Sequence, residues 1–108
     1  LADAGALPAI STDYNPGSSH TRNLWLMGTV ACCYCGLTPS QALRAMTAGA
    51  ARALLMHDEV GSLAAGMMAD FLILEDSDWQ ATLYLYGRVP VHAVYKAGER
   101  MASHPAGR

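Results

Sequence analysis

Apolar residues fall in blocks along this chain, and the spacing inside each block predicts a different element. Residues 1–7 read as the end of a helix and its turn, with Gly5 as the stop. The run Ala6-Leu7-Pro8-Ala9-Ile10 is short and continuously apolar, so residues 8–12 read as a buried strand. A polar loop over 13–21 follows. Leu24, Met27, Ala31 and Tyr34 then recur at steps of three and four, which predicts a helix over 23–35 stopped by Gly36. Thr38-Pro39-Ser40-Gln41 sets a capping hydroxyl, a Pro in the first turn and a Gln at the third helical position, the capping-box pattern. The helix it opens turns Ala42, Leu43, Ala45 and Met46 inward. Thr47 is expected to cap a second short helix over 48–55, nearly all Ala and Leu. Side chains that small demand close packing against a neighbour.

The pattern changes after residue 59. Gly61 and Gly66 bracket a turn-rich segment, and residues 69–74 read as a buried strand. Residues 76–86 are ambiguous, although Trp79, Leu83 and Tyr86 fit one helical face. Residues 91–96 alternate as a strand, Ala97-Gly98-Glu99 reads as a tight turn, and Arg100-Met101 begin a return strand. Residues 103–108 read as a frayed tail. This order, of α/β class, fits the last strand and helices of a barrel followed by a small β module. A single strand ahead of three helices has no sheet to join, and its backbone donors and acceptors would go unsatisfied. The chain is therefore expected to be a piece of a larger fold.

Composition supports that expectation. Of 108 residues 52% are hydrophobic and 15% charged, more apolar than a small free-standing domain needs. The net charge is -2 and Lys96 is the only lysine, so no basic stripe is present for nucleic acid. The longest nearly apolar stretch, 24–37, falls short of the roughly 20 residues that span a bilayer, so no membrane role is expected. No basic segment, apolar core and cleavage site stand in order, although the chain opens on Leu1 and not on Met. Cys32, Cys33 and Cys35 crowd one predicted helix, an odd count that is no disulfide framework. Adjacent helical cysteines point about 100° apart and no Cys-x-x-Cys follows, so buried free thiols are expected. Reduced thiols suggest a cytoplasmic protein.

The candidate chemistry lies in Ser11-Thr12-Asp13-Tyr14-Asn15-Pro16-Gly17-Ser18-Ser19. A carboxylate at the exit of a predicted strand, then a Pro-Gly turn rich in small polar residues, is how α/β enzymes build sites. Taken singly, Asp13 reads as a turn cap and Asn-Pro-Gly as ordinary turn chemistry. His20 stands near, but one His and one Asp fall short of the roughly three protein ligands of a metal site. His57, His92 and His104 are well separated and expected at the surface or in the hairpin. Arg22 and Arg44 are expected to be solvated helix charges.

The same run resembles the substrate loop of the imidazolonepropionase family within the amidohydrolase superfamily, whose pattern is Thr-Asp-(Tyr/Phe)-Asn-Pro-Gly-Ser. Leu37-Thr38-Pro39 to Met46-Thr47 is similar to the helix that follows in that family. Val60-Gly61-Ser62-Leu63, Gly66 and Ala69-Asp70-Phe71 resemble the superfamily's returning β module, and residues 91–98 its final hairpin. The resemblance implies an α/β fold, the C-terminal part of a metal-dependent (β/α)8 barrel with part of a small β-sandwich-like module. Residues 1–58 would end the barrel, 59–102 would belong to the β module, and 103–108 would form a flexible tail. It implies hydrolysis of the ring amide of 4-imidazolone-5-propanoate to N-formimidoyl-L-glutamate, in histidine degradation, with one Zn or Fe ion.

Asp13 would be a metal ligand and the acceptor of the attacking water's proton. Asn15 and Gly17 would hold the formimidoyl-glutamate portion, and Ser18 would contact the substrate. A homodimer is compatible with the resemblance. This chain departs from the family at Gly49, where Asn is usual, and at Leu55, near which a Gly ends the helix. Met67 stands where Lys is common, and His20 where Pro is frequent. The family's His-x-His pair, its later metal histidines and the substrate-binding Arg and Tyr of earlier loops are not in this sequence. The 108-residue chain alone is therefore expected to bind no stoichiometric metal, to lack hydrolase activity and to aggregate. Two other readings remain open at this level: an amidohydrolase for a different cyclic amide or amidine, and an inactive truncated product.

Overall fold

The computed structural model describes residues 7–13, 23–83 and 89–101. In chain order they form α1 (Leu24–Tyr34), α2 (Pro39–Met46), α3 (Ala48–Ala53), β1 (Phe71–Leu74), a 3-10 helix (Trp79–Leu83), β2 (Val91–Lys96) and β3 (Glu99–Arg100). The result is a mixed α/β arrangement, three helices beside a three-stranded sheet of order β1-β2-β3.

Each helix starts and stops for a local reason. The Asn23 side chain accepts from the N–H groups of Trp25 at 3.1 Å and Leu26 at 3.3 Å, capping α1. The capping box at α2 is complete: Gln41 N–H donates to Thr38 Oγ1 at 3.2 Å, and Thr38 N–H to Gln41 Oε1 at 3.0 Å. Thr47 does not cap α3. Its hydroxyl turns back and donates to the Leu43 carbonyl at 2.8 Å, four residues upstream in α2. Leu55 N–H donates to the Arg52 carbonyl at 3.1 Å and Met56 N–H to Ala51 at 2.8 Å, a Schellman closure of α3. The closing residue is Leu55, at φ +59.

The packing runs through small residues. On α1 the buried face is Gly28, Thr29 and Ala31, while Tyr34 at the end of the expected bulky stripe is 85% exposed. A methyl group at Gly28 would stand 2.7 Å from Met46 Sδ, so α1 meets α2 across its smallest position. Ala42 and Ala45 of α2 are fully buried, and Leu43 only half so. Thr29 Oγ1 donates to the Leu83 carbonyl at 2.7 Å, tying the 3-10 helix to α1. The expected burial of the thiols holds for none of them fully: Cys32 is half-buried, and Cys33 and Cys35 are exposed. Cys33 lies two residues beyond buried Ala31, about 200° round the helix, and so faces away from α2.

Two predicted strands are corrected. Residues 8–12 form no strand; the Ile10 N–H instead donates to the Ala45 carbonyl at 3.1 Å. A strand is defined by its partner, and this segment meets a helix end. Residues 69–74 do contain β1, but it is an edge strand and not a buried one, with Leu72 46% and Ile73 44% exposed. β1 pairs antiparallel with β2, setting Phe71 opposite Tyr95, and their rings stack at 4.6 Å. The hairpin from β2 to β3 turns on two residues, Ala97 at φ +53 and Gly98 at φ +82, a type I′ geometry one residue tighter than the sequence suggests. In residues 76–86 the ambiguity resolves to the 3-10 helix, entered through Asp78 N–H donating to Asp76 Oδ1 at 3.0 Å. Tyr86, the turn at residues 1–6, most of the loop over 13–21 and the tail 103–108 lie outside the described residues.

Candidate functional site

Asp13 ends the first described stretch, and two contacts fix that stretch in place. The first is the Ile10 N–H to the Ala45 carbonyl. The second is at α3, where the Pro8 carbonyl oxygen comes so close to Gly49 that a Cβ there would overlap it. The chain reaches Asp13 exposed and at φ +50, a left-handed conformation that Asp tolerates better than most residues. Asn15, Gly17 and Ser18, and also His20, lie outside the described residues, so Asp13 is the one predicted site residue whose position is seen.

The donor chemistry fits one corner of a metal site. A carboxylate presented at the surface of an anchored segment is a hard oxygen ligand suited to Zn or Fe. Among the described residues no three His, Cys, Asp or Glu side chains are grouped to hold a metal ion. Among the described residues Asp13 therefore belongs to no such group. Burial, and then the neighbouring Cys33, push the Cys32 thiol up, away from the thiolate a metal would bind. His57, His92 and Arg44 are exposed, as their spacing suggests.

A second carboxylate, Asp70, has a structural role that the sequence reading passed over. It accepts from Lys96 Nζ at 2.7 Å and from the Ala97 N–H at 2.9 Å, across the mouth of the β2–β3 turn. The Lys96 hydrogen bond first, and the Ala97 N–H second, hold its carboxyl below the usual carboxylate range. Its signal in the sequence was a carboxylate just ahead of a strand that pairs with a Lys-Ala-Gly turn. An open apolar groove of about 590 Å3 runs between α2–α3 and β1, with Leu43, Met46, Leu63, Phe71 and Leu72 among its walls. Asp13 is not one of them.

The three described stretches all fall inside residues 1–101, which match the model of the amidohydrolase family. The chain belongs to the amidohydrolase family. The curated amidohydrolases it resembles include imidazolonepropionases. That of Deinococcus deserti is 48% identical over 94% of this chain and 25% of its own length. Those of Rubrobacter xylanophilus and Deinococcus radiodurans are 45% and 46% identical, over 91% and 94% of this chain. The amidohydrolase chain described here therefore spans about a quarter of the length of these relatives. Among its described residues no helix is long and apolar enough to cross a membrane.

Proposed function

We propose that this chain supplies the Asp13 corner and the substrate loop of an enzyme that hydrolyses the ring amide of 4-imidazolone-5-propanoate to N-formimidoyl-L-glutamate. What carries the reading is the likeness to imidazolonepropionases, 48% identical over 94% of the chain in one case. A carboxylate anchored as Asp13 is supports it. In this reading residues 1–58 close a (β/α)8 barrel, 59–102 belong to a small β module and 103–108 are a tail. The enzyme acts in histidine degradation in the cytoplasm.

The metal, Zn or Fe, supplies Lewis acidity at the ring carbonyl and a lowered pKa for water when bound. Asp13 would be one of the residues that hold that ion, and its carboxylate would also accept the proton of the attacking water. Asn15 and Gly17 hold the formimidoyl-glutamate portion, and Ser18 orients the ring through its hydroxyl or N–H. The remaining metal ligands and the grip on the substrate's carboxylate come from residues that this sequence does not contain.

The test is Asp13→Ala in the enzyme made from the complete reading frame. Metal content and kcat should both collapse, by more than the roughly 10–100-fold typical of losing an outer partner of a metal ligand. Unchanged turnover rejects the reading. Turnover of a hydantoin-type ring in place of imidazolonepropanoate moves the substrate to another cyclic amide while leaving Asp13 its role.

A further inference from the structure

We propose that Gly49 is a positioning residue for Asp13, an inference that rests on the metal-ligand reading above. The chain from Pro8 to Asp13 is tied to the helices at two places only a few residues upstream of the carboxylate. At one, the Ile10 N–H meets the Ala45 carbonyl at 3.1 Å. At the other, the Pro8 carbonyl oxygen occupies the space that a Cβ at Gly49 would need, with the Pro8 carbonyl carbon 3.3 Å from that position.

The neighbour at Gly49 is backbone and not the end of a flexible side chain, so no rotamer change relieves the overlap. In this chain a side chain at position 49 requires a shift, and the Pro8 carbonyl is the group nearest to it. Gly49 is itself buried and sits within the first turn of α3, and Ala45 is fully buried in α2, so the helix side of the contact is the more tightly packed. The segment moves, and it carries Asp13 with it. A metal ligand displaced by a fraction of an ångström leaves the tolerance of its coordination sphere, about 0.2 Å. Gly49 thus acts through Asp13 while touching neither metal nor substrate. Gly49, at a position where the resembled family usually has Asn, and the seat of Pro8 form a matched pair in this chain.

The experiment uses the complete enzyme carrying Gly49→Ala, Gly49→Asn or Asp13→Asn, and Zn2+ alone as the probe. Zn2+ affinity is read by chelator competition, and exchange of the Ile10 amide is followed in the metal-free protein. Gly49→Ala and Gly49→Asn should weaken Zn2+ binding at least tenfold and speed exchange at Ile10. A lowered melting temperature with unchanged Zn2+ affinity would mark a purely structural role and overturn the proposal. Should the Gly49 variants fail to fold, Ile10→Pro replaces them: it removes the donor to Ala45 without filling the helix contact, and the same loss of affinity is expected. Unchanged affinity in Ile10→Pro also overturns the proposal. Asp13→Asn separates the two levels. If it retains full Zn2+ affinity, the metal-ligand reading fails; if it alone weakens binding, that reading stands and the positioning role falls.

Discussion

Leu55 shows how a single residue can hold a backbone conformation against its own preference. It closes α3 at φ +59 with 84% of its surface exposed, so it accepts left-handed strain without burying its side chain. Leu55→Gly should stabilise the protein by about 1 kcal/mol, read as a shift in the urea midpoint at constant m-value. Asp70 gives a pH prediction. Its carboxyl is held below the usual range by Lys96 and the Ala97 N–H, so its contribution is present above the unfolded value and is lost as pH falls through the lowered one. Asp70→Asn should therefore flatten the acid limb of the stability profile below about pH 4 and leave the neutral region less changed in slope. At this scale the sequence was legible where a side chain answers to its own neighbours, as at Thr38 and Gln41. It misled at Thr47, because a hydroxyl can serve the carbonyl four residues back as well as the N–H ahead.

Among elements, the capping box is a local device with a local test. Thr38→Ala leaves the Gln41 N–H without its acceptor and should cost about 1 kcal/mol of stability, measured by denaturant titration. Gly61→Ala should cost considerably more, because Gly61 sits at φ +101 and its Cβ would stand 2.6 Å from that of Ala51. The helices were read well because caps and stops are written within a few residues of each end. The strands were read less well, because a strand's identity depends on what lies beside it. Residues 8–12 have the composition of a strand and dock on a helix end instead, and β1 has the composition of a buried strand and stands at a sheet edge. The proposed site shares that contrast: Asp13 was singled out by its flanking motif alone, whereas Gly49 was visible only as a departure from a family pattern until Pro8 was seen against it.

For the molecule as a whole, apolar surface is the dominant fact. Leu54 is 70% exposed and Leu63 72%, both beside the groove that β1 continues with Leu72. The 108-residue chain alone should self-associate as its concentration rises, seen as growing scattering mass, and should bind no stoichiometric Zn2+ or iron. A sharply melting monomer would contradict the first expectation, and one tightly bound ion per chain the second.

Among the described residues the buried apolar side chains are mostly alanines, Ala31, Ala42, Ala45, Ala51 and Ala93, joined by Met46, Leu83 and Pro90. Most cores are damaged by truncation, since large side chains leave voids when shortened. Met46 and Leu83 apart, a methyl group is nearly all that these helix contacts have to lose. Damage comes from the other direction, because one added carbon between α1, α2 and α3 has nowhere to go. At these few contacts, descendants of this sequence are bounded by size from above.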